Sequence, residues 1–158
     1  MPHGFETLQI HAGARPDPAT GARQVPIYQS TAFVFRDADH AAALFNLQEV
    51  GYIYSRLTNP TVAALGERIA TLEGGQGAVC CASGHAAQLM ALFPIMQPGC
   101  NVVVSTRLYG GSVTQFSQTI KRFGWEATFV DFDDLDAVKA AIDDHARGIF
   151  CEAIANPG

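Results

Sequence analysis

Lysine is almost missing from this chain: Lys121 and Lys139 are the only two in 158 residues, and the basic total is 10 against 15 acidic residues. The basic residues are scattered and the formal net charge is -5. No face suited to a polyphosphate backbone is expected, and hence no nucleic-acid partner. Long apolar runs are absent too. None approaches the ~20 residues of a membrane helix, and the opening MPHGFETLQIHAG has neither a basic region nor an apolar core. These absences read as a soluble, cytoplasmic protein with no secretion signal and no membrane partner. Cysteine is sparse: Cys80, Cys81, Cys100 and Cys151 match no zinc spacing and are expected to be reduced core thiols. There is no internal repeat, no low-complexity tract and no G-x-x-x-x-G-K-[ST] loop. What remains is 48% hydrophobic residues, enough for one substantial core.

The first sixty residues differ from the remainder. They hold five of the eight prolines and one convincing helix, about residues 37–48, opened by the DADH cap signal. VPIYQSTAFVF and GYIYSRLTNPT read as extended segments without an alternation partner, an arm (1–60) better explained by packing on another subunit than by floating free. From Thr61 onward (61–158) the pattern is regular. A helix is expected from Pro60 or Thr61 to Glu73, with Val62, Leu65, Ile69 and Leu72 at helical spacing and Gly74-Gly75 as its end. Strands and helices then alternate: strand 78–82, helix 84–96, strand 101–105, helix 111–123, strand 126–130, helix 135–145, strand 148–151. Strands buried on both faces and separated by single helices predict an α/β fold, a mostly parallel sheet flanked by helices. In such sheets ligands sit at the carboxyl ends of the strands. That edge would gather Ser83, Ser105 to Tyr109, Asp131, and Glu152 to Asn156.

The stretch CCASGHAAQLMAL places Ser83, Gly84 and His85 between a strand and a helix. Three readings compete. Unpaired N–H groups and the dipole at a helix start favour an anion, so SGHA is a candidate phosphate nest. Ser83 is equally a structural cap. A serine nucleophile is the third, although Cys81 occupies the first glycine of the G-x-S-x-G elbow. In YSRLTNPT, Tyr54 and Arg56 stand two apart in an extended segment, so a phenol and a guanidinium face one way and can share an anion. In RLYGG, Tyr109 follows a strand end, and Gly110-Gly111 gives room for a flat group. Singly, Arg56 reads as a surface arginine and Tyr109 as a core aromatic. Together with the nest they suggest a site for a planar ring carrying a phosphate.

The run from Tyr54 to Gly111, with LQIHAG and VPIYQSTAFVF before it and CEAIANP after it, resembles the pyridoxal-phosphate enzymes of cysteine and methionine metabolism. That group includes cystathionine synthases and lyases, methionine lyases and O-acetylhomoserine sulfhydrylases. ASGHAAQ followed by STRLYGG is most similar to the O-acetylhomoserine sulfhydrylases; the lyases more often carry methionine where this chain has His85. Gly66, where the family more commonly has glutamate, sits mid-helix at a cost in helix propensity and receives no functional meaning.

The resemblance implies an aspartate-aminotransferase-like large domain, incomplete here, preceded by the arm. It implies pyridoxal 5'-phosphate as cofactor, its phosphate held by the backbone N–H groups of Gly84 and His85 with Ser83. Tyr54 and Arg56 would complete that cradle from the neighbouring subunit of a homotetramer, a dimer of dimers. Tyr109 would stack on the pyridine ring and assist proton transfer, as the catalytic residue of this stretch. Asn156 would lie near the ring hydroxyl, with Glu152 close by. The implied reaction converts O-acetyl-L-homoserine and sulfide to L-homocysteine and acetate; cystathionine gamma-synthase, cystathionine lyase or methionine gamma-lyase chemistry is the alternative. The family's cofactor-bearing lysine and ring aspartate have no counterpart in their expected settings here. The expectation is therefore the N-terminal portion of a longer enzyme, inactive alone, against a non-catalytic binding module or a hydrolase acting through Ser83.

Overall fold

The computed structural model describes residues 3–156, so Pro157 of the CEAIANP block lies outside the described residues. Two compact units form, one ending at Cys80 and the other beginning at Cys81.

Among the described residues the first unit contains three helices: α1 (Phe5–His11), α2 (Ala38–Phe45) and α3 (Pro60–Glu73). The sequence did not point to α1, because Gly4 at its start offers no side-chain cap. A distant residue supports its other end: the Arg68 guanidinium donates to the carbonyls of Ala12 at 2.9 Å and Ile10 at 3.2 Å. α2 is shorter than the expected 37–48. Asp37 caps its start by accepting the His40 N–H at 2.7 Å, and the chain leaves the helix as Leu47 enters the left-handed region at φ 57°. α3 forms where expected, capped by the Asn59 side chain, with Pro60 in its first turn and Gly74 left-handed at its end. Gly66 gains a physical reason here: a Cβ at this position would stand 3.2 Å from the Ala78 carbonyl oxygen. The propensity cost allows a close backbone approach.

The extended segments do have a partner, contrary to expectation. They pair with each other through an antiparallel bridge between Ala32 and Tyr54, with Phe33 N–H to Ile53 at 3.1 Å and Ser55 N–H to Thr31 at 2.9 Å. Buried Asn59 ties them down, its Nδ2 donating to the Tyr28 carbonyl and to Ser55 Oγ, both at 2.9 Å.

The second unit opens with α4 (Gly84–Leu92). It stops before the expected 96 because Pro94 has no N–H to continue the ladder, and the N–H groups of Ile95 and Met96 both turn back to Leu92 at 3.0 Å. Next come β1 (Asn101–Ser105) and α5 (Gly110–Thr114), which continues into a π turn (Gln115–Thr119) and a 3-10 turn (Ile120–Phe123). β2 (Glu126–Val130), α6 (Leu135–Ala141) and β3 (Ala146–Phe150) complete the unit. α6 ends short of 145 because Asp143 accepts the N–H groups of His145 and Ala146, making a turn instead.

The three strands form one parallel sheet in the order β2-β1-β3. Only the central β1 is buried along its whole length; β2 and β3 are edges, with Ile149 more than half exposed. Burial of every strand on both faces was therefore too strong an expectation. The expected strand 78–82 does not form: it has no ladder partner among the described residues, and Val79 is exposed. The thiols also divide differently. All four are free, but only Cys100 is in the core, while Cys80 and Cys151 are exposed. No helix among the described residues is long and apolar enough to cross a membrane.

The core of this unit is built by Leu92, Met96, Val102, Val104, Leu108, Phe116, Ile120 and Trp125. Phe116, fully buried, packs on Phe150 with ring centroids 4.7 Å apart and so fastens the helix after β1 to the β3 edge. Phe116→Ala should therefore cost about 3–5 kcal/mol, the usual loss for truncating a core phenylalanine. Urea denaturation of the variant beside the parent protein measures it.

Candidate functional site

The three strands end at one edge of the sheet, and their order decides which loops meet there. Because β3 lies beside β1, the segment leaving β3 reaches the segment leaving β1. Glu152 makes the junction: its Oε2 accepts the Tyr109 N–H at 3.0 Å and its Oε1 accepts the Ser112 hydroxyl at 2.8 Å. Fully buried Ser112 accepts from Gln88 Nε2 at 3.2 Å, which ties α4 to α5. On the β2 side, Arg107 pairs with Asp131 at 3.3 Å and Asp133 at 2.7 Å. Attraction to Asp131, then the hydrogen bond to Asp133, raises the Arg107 guanidinium above its ordinary pKa. These groups are largely exposed, so the pairs orient the loop more than they stabilise the fold.

The second component is the start of α4. Ser83 is extended and its Oγ accepts the Ala86 N–H at 3.2 Å, so the capping reading is realised. The hydroxyl has no basic partner among the described residues, which leaves the nucleophile reading unsupported. The N–H groups of Gly84 and His85 belong to the first turn, where no helical acceptor exists. Gly84 is exposed, and a Cβ there would meet nothing within 4 Å. The nest is thus open toward solvent.

The third component joins the other two. The His85 imidazole stacks on the Tyr109 ring, centroids 5.9 Å apart and planes 23° from parallel. Tyr109 keeps about half its surface exposed, at 48%. Gly111 makes the stack possible: a Cβ on it would lie 2.5 Å from His85 Cε1 and 2.7 Å from Tyr109 Cε1. Buried Gln115, in the π turn, donates to the His85 carbonyl at 3.2 Å and holds the helix start in place. Wider π turns recur at functional sites because they re-aim side chains in this way.

Ser83, Gly84, His85 and Tyr109 therefore come together as the sequence reading expected. Asn156 lies in an exposed turn, and no side-chain hydrogen bond of its own appears among the described residues. In the first unit, Arg56 Cζ sits 5.3 Å from the centroid of the Tyr54 ring, so guanidinium and phenol do share a side. A turn produces this, not strand alternation: the Leu57 and Thr58 N–H groups both bond the Tyr54 carbonyl, at 2.8 and 3.0 Å. Sequence reasoning missed Gln88, Ser112 and Gln115. Gln88 stands three residues from His85 and Ser112 three from Tyr109, so helical spacing was the available signal for these two; Gln115, six residues beyond Tyr109 in a polar stretch, carried none. Of the two lysines, Lys121 is exposed in the 3-10 turn and Lys139 pairs on the surface with Asp136 at 3.4 Å.

A parallel α/β sheet thus carries, at its carboxyl edge, an open helix start beside a half-exposed, ring-stacked tyrosine, and it is at this edge that open parallel sheets take their ligands. The chain belongs to the Cys/Met metabolism PLP-dependent enzyme family, which it matches over residues 6–158. It is 49% identical over 154 residues to O-acetyl-L-homoserine sulfhydrylase 1 of Thermus thermophilus, covering 97% of this chain and 37% of that protein. It also superposes, with a TM-score of 0.92 and 46% identity, on the crystal structure of an O-acetylhomoserine (thiol)-lyase from Campylobacter jejuni that carries N'-pyridoxyl-lysine-5'-monophosphate. That match covers 99% of this chain and 38% of the other. Cystathionine gamma-lyase from Lactobacillus plantarum, complexed with L-serine, is similar at 37% identity and a TM-score of 0.84, over 98% of this chain and 38% of that one. The chain thus spans a little over a third of the length of these relatives.

The stack offers a direct test of the geometry. A methyl at Gly111 collides only with the far ends of two side chains, so the rings can swing aside while the backbone stays. Gly111→Ala should leave unfolding free energy within about 1 kcal/mol of the parent, the scale of the glycine-to-alanine propensity difference. The near-ultraviolet circular dichroism of the tyrosines should nevertheless change; an unaltered spectrum would mean that the two rings do not stack in solution.

Proposed function

We propose that the complete polypeptide containing this chain converts O-acetyl-L-homoserine and sulfide to L-homocysteine and acetate, with pyridoxal 5'-phosphate as cofactor. The observation that carries this reading is the open nest at Gly84 and His85 set against the His85–Tyr109 stack, in a chain about half identical to sulfhydrylases. The donor set fits the cofactor: two first-turn N–H groups and a serine hydroxyl suit a phosphate, and a half-exposed phenol ring suits a flat heterocycle. When bound, the cofactor supplies the electron sink for carbanion chemistry.

The chain's own residues have distinct tasks. The N–H groups of Gly84 and His85, with the Ser83 hydroxyl, hold the phosphate. Tyr54 and Arg56 add a phenol and a guanidinium from a second copy of the chain, in a homo-oligomer whose arm, residues 1–60, crosses to its neighbour. Tyr109 orients the ring by stacking, and its hydroxyl moves protons as hydrogen leaves Cα and then Cβ of the substrate and acetate departs from Cγ. Sulfide then takes the Cγ position, and protons return to Cβ and Cα to give homocysteine. Asn156 stands toward the ring hydroxyl. The lysine that carries the cofactor and the aspartate that faces its ring nitrogen come from residues other than these 158, since Lys121 and Lys139 are both surface groups. The protein works in the cytoplasm.

Two measurements test this. The complete enzyme, given O-acetyl-L-homoserine and sulfide, should form homocysteine faster than it forms or cleaves cystathionine. Faster cystathionine cleavage would keep the family and replace the reaction. Tyr109→Phe should retain the stack and the cofactor's absorption band while lowering turnover by roughly 10²–10⁴, the usual contribution of a general acid or base. Turnover near the parent value would reduce Tyr109 to a packing residue.

A further inference from the structure

Glu152 lies outside the set of residues given a task above, yet a directed chain of hydrogen bonds from Gln88 through Ser112 ends on it. The proton directions in that chain follow from chemistry. A backbone N–H can only donate, so Tyr109 gives its proton to Glu152 Oε2 at 3.0 Å. Ser112 has one proton and gives it to Glu152 Oε1 at 2.8 Å. Its lone pair then receives the Gln88 amide at 3.2 Å, which leaves Gln88 Oε1 buried and unpartnered among the described residues. Both carboxylate oxygens are thus committed, and both donors belong to one short stretch, Tyr109 to Ser112.

That stretch sets the ring. Tyr109 is the residue from which α5 starts, with φ -53° and ψ 138°, so no helical acceptor exists for its N–H. With the N–H fixed on one side and Ser112 on the other, the Cα–Cβ direction of Tyr109 is fixed too; this sets where the ring can reach, and contact with the His85 imidazole, 23° from parallel, selects its rotation. Glu152 itself is only partly buried and comes from the segment after β3, so it couples the position of Tyr109 to the pairing of β3 on β1.

We infer that Glu152 is a positioning residue: its carboxylate, backed by Ser112 and Gln88, holds the Tyr109 backbone so that the phenol lies along the His85 ring. This rests on the functional reading of Tyr109 for its kinetic consequence and on the hydrogen bonds alone for its structural one. A carboxylate that merely braced two loops would lower stability when removed. It would not act specifically through Tyr109.

The experiment uses the complete polypeptide in four forms: Glu152→Gln, Glu152→Ala, Tyr109→Ala and the double variant Glu152→Ala/Tyr109→Ala. In the cofactor-free protein, with histidine labelled at the ring carbon, the ring-current shift of the His85 Hε1 proton reports the stack. It should disappear in Tyr109→Ala, diminish in Glu152→Ala and persist in Glu152→Gln, whose amide oxygen can still accept the Tyr109 N–H. In the holoenzyme, Glu152→Ala should lower kcat by up to about 100-fold, the scale of a ~1 Å misplacement of a reacting group, with KM changed less than about three-fold. Added to Tyr109→Ala, it should cost nothing more, since groups that act as a unit are not additive. An unchanged His85 shift in Glu152→Ala, or losses in the two single variants that multiply in the double, would overturn the inference. If Glu152→Ala is recovered only as aggregate, Ser112→Ala decides: it removes one anchor and keeps the carboxylate, so a weakened His85 shift supports the role and an unaltered one overturns it. A protein that shows the expected shifts but does not make homocysteine would sustain the positioning role and sink the proposed reaction.

Discussion

The position of β3 beside β1 is the constraint on which the second unit depends. The chain leaves β1 for β2 on one side, then returns across to place β3 on the other, in the order β2-β1-β3. The order of strands reverses at β1, and in open parallel sheets such a reversal opens a crevice at the carboxyl ends. β1 can occupy the centre because its residues are apolar on both faces: Val102, Val103 and Val104 are fully buried. The pairing on each side then brings Glu152 to the Tyr109 loop and Asp131 and Asp133 to Arg107. Had β3 added beyond β2, the Glu152 and Tyr109 segments would be separated by two strand spacings of nearly 5 Å each, and the hydrogen bond between them could not form.

Glycine placement serves the same edge. Gly111 gives the two stacked rings the volume a methyl would take, and Gly84 leaves the helix start uncovered. Gly66 does comparable work in the first unit, admitting the Ala78 carbonyl against α3. These positions follow neither helical nor strand periodicity; their logic is steric, and it is visible only once the neighbours are known.

That distinction explains what was legible in the sequence. α3, β1 and β2 could be read because local signals agreed with one another: Asn59-Pro60 at a start, Gly74 at an end, an unbroken valine run between turns. That Tyr109 stands at the sheet's carboxyl edge could be read because strand ends converge there in parallel sheets; Ser83, Gly84 and His85 join it without the strand expected before them, through Gln88 on Ser112 and Gln115 on the His85 carbonyl. α1 could not, since its support is the guanidinium of Arg68, far away in sequence. Residues 78–82 have the composition of a strand, but a strand also needs a neighbour to pair with, and composition carries no record of one. The Glu152 carboxylate was visible as a residue near the edge, while its two donors were not, because which loop lies opposite it is a property of strand order.

His85 is the side chain that lies on Tyr109, and a methionine in its place would act differently. A thioether contacts an aromatic ring through a polarizable sulfur and is free to change rotamer. An imidazole is flat and rigid, and it can donate or accept a proton. His85 is also held from behind by Gln115 at its carbonyl, so its backbone is fixed while its ring covers the tyrosine. A methionine at this position would therefore alter the polarity beside Tyr109, while the hydrogen bonds from the Tyr109 N–H and the Ser112 hydroxyl to Glu152 do not involve the side chain at 85.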